Sequence, residues 1–334
     1  MHYSLKKVTL YLLLLCPIYS QVSSGGDLKS ILQGLSDEIP VEVLPEVNQE
    51  ALLLEDEIEM AKDVPYRFGT PIDVQYNLDN SGIWEEITNG RIWRFSIKSE
   101  NAYSINLLYD RFVLPEGAEL FVYDKEMVTI LGAFTHKNNK SHETFSTSPT
   151  KGDVTILEYY EPHGVEFPGE IQINSVVHAY RDIFFNESRG YGDSGSCNNN
   201  VNCPEFDDWQ NEVRAAAMIL TGGGSRLCSG SLINNVRQDM TQYFLTANHC
   251  LGGESSWIFM FNYQSAGCSN QDGPTNQTVQ GSTLLANSSG SDFGLLRLTE
   301  TIPELYDVNY AGWDATGNTP STPVCIHHPS GDIK

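Results

Sequence analysis

Between Tyr66 and about Ile183, apolar and polar positions alternate in short runs punctuated by glycine and proline. Arg91–Ile97 and Ala102–Leu107 alternate. Leu114-Pro115-Glu116-Gly117 turns the chain into Glu119–Tyr123, and Val154–Tyr160 and Ile171–Val176 follow. A period of two buries one face of each run. Short strands at regular spacing predict an all-β sandwich over 66–185. A second set of runs, Val213–Leu220, Arg226–Ile233, Gln242–Ala247, Ser256–Tyr263, Ser282–Ala286 and Phe293–Leu298, predicts the six strands of one Greek-key β-barrel. Tyr306–Trp313 would lead on to a further barrel, with Pro323–His328 as its first strand. The polar, glycine-rich stretch Asn186–Ser196 reads as the junction between the two units. Ahead of the sandwich, residues 21–65 are acidic and weakly patterned, with a helix expected over Glu46–Lys62.

Composition sharpens this in three ways. A length of 334 residues fits about two domains. The formal net charge of −23 leaves no basic surface for nucleic acid and suits a soluble extracellular protein. Lys6 and Lys7 followed by the apolar run Val8–Cys16 and the small Ser20 read as a secretory signal over 1–20, too short to span a membrane. Of the seven cysteines, Cys16 would leave with that signal. The other six all follow residue 196. An even set in one region of a secreted chain implies disulfides, with about 15 possible pairings.

The candidate chemistry centres on Thr246-Ala247-Asn248-His249-Cys250, where an apolar strand stops on a histidine followed by a cysteine. A lone histidine is ordinarily a hydrogen-bonded core or surface residue. Two neighbours in the sequence change that reading. Cys228-Ser229-Gly230-Ser231-Leu232-Ile233 offers a cysteine that could pair with Cys250. Downstream, Ser291-Asp292-Phe293-Gly294-Leu295-Leu296-Arg297-Leu298 opens a short strand on an aspartate. Other groupings are weaker. Glu55, Asp56 and Glu57 read as a solvated helix face. His142-Glu143 lacks the second histidine of a zinc-protease motif. His327-His328 has no third ligand at suitable spacing.

Together these stretches resemble the first half of a trypsin-fold serine protease, and more closely the bacterial lysyl endopeptidases. The resemblance includes Ser194-Gly195-Ser196-Cys197-Asn198, Val201-Asn202-Cys203-Pro204, Phe261-Asn262-Tyr263-Gln264 with Cys268, Ala311-Gly312-Trp313-Asp314 and Ile326-His327-His328-Pro329. It extends back to about residue 66. There Trp93-Arg94 and Leu114-Pro115-Glu116-Gly117-Ala118 resemble the propeptide of that family, which implies a folding and inhibitory segment. By motif position, His249 is the general base and acid, and Asp292 orients it. The resemblance pairs Cys228 with Cys250 and Cys203 with Cys268, and assigns Cys197 a partner beyond residue 334. Cys325 departs from the family pattern, and its partner is expected outside the sequence as well.

Gly192-Asp193-Ser194-Gly195 imitates a nucleophile turn. In the family, however, the nucleophile follows the histidine and aspartate, and Ser194 aligns with the mature amino terminus. The nucleophile serine, oxyanion hole and specificity pocket are expected in a second half that the 334 residues do not include. The reading is therefore a secreted serine endopeptidase precursor acting on proteins or peptides, with its propeptide as partner and no cofactor or metal. The alternative is a secreted non-catalytic pseudoprotease, or a sandwich that binds carbohydrate or surfaces through aromatics such as Tyr159 and Tyr160.

Overall fold

The computed structural model describes residues 21–59, 64–182, 197–221, 223–269, 271–319 and 321–334. The expected signal over 1–20, the junction around Arg189 and the Ser194 turn lie outside these residues.

The first unit is a two-sheet sandwich. One sheet runs in the order Val41–Val43, Gly90–Lys98, Val154–Pro162, Glu119–Asp124, Ile130–Phe134, with Ile83–Ile87 also paired to Gly90–Lys98. The other runs Thr150–Lys151, Ser104–Val113, Glu170–Ala179, Gly69–Asn77, with Phe145–Ser146 also paired to Ser104–Val113. Their inner faces meet in a core that includes Trp93, Phe95, Leu107, Tyr109, Leu120, Leu157 and Ile173, all buried. The predicted strands are there, several of them longer than the alternating runs implied.

The acidic segment ahead of the sandwich is part of it. Val41–Val43 adds a parallel strand beside Ser96–Lys98, and the expected helix forms over Gln49–Glu59. Asp56, on that helix, is no solvated carboxylate. It accepts hydrogen bonds from Arg67 Nε at 2.7 Å, Tyr180 Oη at 2.7 Å and Arg181 at 2.8 Å. Burial opposes its charge, but the bonds from Arg181, Tyr180 and Arg67 outweigh this and hold its pKa below the usual carboxylate range.

The second unit is a curled antiparallel sheet, a half-open barrel, in the order Thr278–Gln280, Ile258–Phe261, Ala216–Thr221, Arg226–Ile233, Tyr243–Thr246, Phe293–Leu298, Ser282–Ser288. Phe244, Phe259, Phe261, Trp257 and Leu296 fill its interior. Two expectations are corrected here. Gln210–Ala215 is helical, so the strand starts only at Ala216; the run Val213-Arg214-Ala215 satisfies helix propensity as well as apolar patterning. Pro323–His328 forms no strand, because no neighbour among the described residues pairs with it.

The structure closes Cys203–Cys268 and Cys228–Cys250, while Cys197 and Cys325 are unbridged and exposed. The latter two line one cavity of about 360 Å³, with Trp209 and His327 among its walls. Cys228–Cys250 spans 22 residues. Closing a loop of that length removes roughly 3 kcal/mol of unfolded-state entropy in the chain-entropy account. Replacing both cysteines by alanine is expected to lower the unfolding free energy by about that amount, read from urea melts.

The two units share buried surface. Phe68 and Ala179 of the sandwich join Met218, Leu220, Leu227, Ile258, Met260 and Tyr263 of the barrel in one apolar cluster. Elsewhere along the contact, Ser146 Oγ donates to Ser256 O at 2.6 Å, and Lys140 Nζ donates to Gln280 O at 2.9 Å. Lys140 also lies 3.6 Å from Glu300, both side chains less than one-tenth exposed.

Candidate active site

Local sterics deliver the histidine to its place. Strand Tyr243–Thr246 pairs with Phe293–Leu298 on one side and with Ser231–Ile233 on the other. Its last residue, Thr246, donates from Oγ1 to Ser229 O at 2.9 Å. Gly230 lets the strands approach: a Cβ there would stand 2.2 Å from the Phe244 ring and 2.6 Å from Leu245 O. The chain then tightens into the single turn Asn248–Cys250. The disulfide to Cys228 fixes the far end of that turn.

Asp292 enters from the neighbouring strand. Its backbone is left-handed at φ +50°, a conformation that aspartate tolerates better than most residues. Gly294 follows, where any Cβ would press on the Leu251 side chain at 2.9 Å. This geometry turns the carboxylate onto the histidine. Oδ2 lies 2.7 Å from His249 Nδ1, and Oδ1 accepts the His249 backbone N–H at 2.9 Å. The Asn248 N–H donates to the Asp292 carbonyl at 3.1 Å. Asn287 Nδ2 supports the turn from outside through Asn248 Oδ1 at 2.7 Å.

The two sequence-predicted residues thus meet, 43 positions apart in the chain. An ionised carboxylate only accepts, so Nδ1 carries the proton of this contact. The bonds from the His249 ring and then its N–H hold the Asp292 pKa below the ordinary carboxylate value. By linkage, a depressed folded pKa gives stability that is present above the unfolded pKa and lost as pH falls through the folded one. A carboxyl NMR titration is expected to put the Asp292 midpoint below that of a free aspartate, and the His249→Ala variant should move it back up.

The dyad is open: the side chains of His249 and Asp292 are 44% and 51% exposed. Cys228, His249 and Cys250 cluster closely enough to suggest metal ligands. Both sulfurs are in the disulfide, however, so neither is available as a thiolate. The His327-His328 pair is split. His327 is exposed, whereas His328 is buried, stacks on Tyr263 and donates from Nδ1 to Asp332 O at 2.9 Å. Burial, with Lys334 nearby, pushes the His328 pKa down to about 3. The aromatic face suggested for a binding sandwich is corrected too: Tyr159 is fully buried, with its hydroxyl on Glu161.

Comparisons with known proteins find two similarities. Residues 191–334 match the family described as lysyl endopeptidase, C-terminal domain. A lysyl endopeptidase of Pseudomonas aeruginosa is 30% identical over 202 residues, covering 55% of this chain and 43% of the relative. The chain thus spans less than half the length of that curated relative, and it is lysyl endopeptidase-like where the two align.

Proposed function

We propose that the chain is part of a secreted serine endopeptidase precursor, in which residues 66–185 form the propeptide and His249 and Asp292 are two members of the catalytic triad. The observation that carries this reading is the double grip of Asp292 on the Nδ1 and the backbone N–H of His249. That grip does two things a general base needs: it fixes the tautomer and it stabilises the imidazolium once Nε2 has taken a proton. In the reaction, Nε2 would accept the proton of an attacking serine hydroxyl and return it to the leaving amine. Asp292 remains ionised throughout. The serine and the donors that stabilise the tetrahedral oxyanion would be supplied from outside the 334 residues.

The substrate class follows from the relative's name and from one feature of the sequence. Nine lysines lie in residues 1–151 and none between Gly152 and Ile333. An enzyme that cuts after lysine would spare such a catalytic unit. Arg189, rather than a lysine, precedes the expected mature segment, so maturation there would need a second protease or a wider specificity. Profiling an active form on a peptide library is the test. Cleavage after lysine is the expected result, and a preference for any other residue removes the lysyl assignment. In that same active form Asp292→Asn should lower kcat about 10⁴-fold, because the amide favours the wrong histidine tautomer.

A further inference from the structure

Strand Arg226–Ile233 has two edges. Ala216–Thr221 takes one of them along Arg226 to Ser231. The other is shared by two partners. Ser231–Ile233 pairs with Tyr243–Leu245, the strand that leads to His249. Arg226 and Leu227 pair with Arg67 and Tyr66, which come from the sandwich. Between the two partners lie Cys228, bridged to Cys250, and Ser229, bonded to Thr246. The strand that leads into the His249 turn and the Tyr66–Arg67 strand are therefore successive occupants of a single β-edge, with the disulfide between them.

The sandwich strand is held there firmly. The N–H groups of Phe68 and Gly69 donate to Ser225 O at 3.0 and 3.3 Å. The Phe68 ring is fully buried in the apolar cluster shared by the two units. The Arg226 guanidinium donates to Pro65 O and to Glu59, each at 2.9 Å. Arg67 is tied back to Asp56. None of these contacts covers the dyad, whose side chains stay about half exposed.

An extended peptide is recognised by adding a strand to an available edge, with main-chain hydrogen bonds supplying the affinity. We propose that Tyr66–Phe68 acts as an internal pseudo-substrate strand: it takes the barrel edge beside the His249 turn along which an extended peptide would otherwise pair, so that docking of the sandwich and peptide binding at Arg226–Leu227 exclude each other. The proposal rests on the peptidase reading for its biological meaning. Its inhibitory action is competition for backbone pairing, with the histidine left open.

The test uses the full 334-residue chain and needs no turnover, so its outcome is separate from that of the peptidase assay. Two variants loosen the strand, Phe68→Ala from the sandwich side and Arg226→Ala from the barrel side. His163→Gln serves as control, since it changes only an exposed side chain beside Glu86 on the sandwich. Amide hydrogen exchange is followed over residues 224–229. Fluorescence anisotropy follows a labelled peptide with the sequence of residues 64–70. Both strand variants are expected to speed exchange at 224–229 at least about tenfold and to bind the peptide, whereas the unmodified chain and His163→Gln do neither. Unchanged exchange in both strand variants, an opened edge that takes no peptide, or equal peptide binding by the unmodified chain would each overturn the proposal.

Discussion

Purified and oxidised, the 334-residue polypeptide is expected to hydrolyse no lysyl or arginyl fluorogenic substrate and no denatured casein, with the His249→Ala variant indistinguishable from it. In the proposed reading His249 and Asp292 supply the base and its orienting carboxylate, but a dyad alone forms no acyl-enzyme. After Asp292 the sequence offers only Ser321 and Ser330. Ser330 sits in the turn Pro329–Gly331 at φ +52°, and among the described residues neither serine is hydrogen-bonded to His249. Losing the nucleophile alone typically lowers kcat about a millionfold. In the proposed reading the oxyanion donors are supplied from elsewhere too, so the residual rate that they give goes as well. Turnover that disappears in His249→Ala would mean that another hydroxyl serves as nucleophile, Ser194 being the first to test.

The second large effect concerns the buried pair between the two units. Lys140 Nζ stands 3.6 Å from Glu300 Oε1. Glu300 also accepts the Gln280 N–H at 2.7 Å and the Asn138 side chain at 3.4 Å. Burial dominates both partners: it lowers the Lys140 pKa and raises that of Glu300, and their mutual attraction opposes each shift. Such a pair adds little net stability over neutral groups, but removing one partner strands a charge in an apolar contact. Lys140→Met is therefore expected to lower stability by about 3–5 kcal/mol in urea denaturation. The double variant Lys140→Met, Glu300→Gln should recover most of that loss. Strictly additive losses would show that the two side chains do not interact.

The strands that carry His249 and Asp292 were legible because their signals are local. His249 follows a strand and precedes a cysteine, Asp292 opens a strand, and both strands lie within two residues of where patterning placed them. The relation between the sandwich and the barrel was not legible. Tyr66–Arg67 is a two-residue strand that belongs to the sandwich by sequence and to the barrel sheet by pairing, and no periodicity shows in two residues. Lys140 and Glu300 are 160 positions apart, and each looks like an ordinary surface charge until the units dock. Tyr159 and Tyr160 show a different failure: neighbours on a strand face opposite sides, so an adjacent aromatic pair could not both have formed a surface. The fate of Pro323–His328 rests on whether a neighbouring strand is present, which no single segment encodes.

The most direct test of the central claim is the protonation of the His249 ring. Nitrogen-15 NMR on the 334-residue chain at neutral pH should find the proton on Nδ1, with Nε2 bare, and Asp292→Asn should reverse that order. This is the state in which His249 would act as general base, and among the described residues the Asp292 carboxylate is the group bonded to its ring. A proton resident on Nε2 in the unmodified chain, or a tautomer indifferent to Asp292→Asn, would contradict the account.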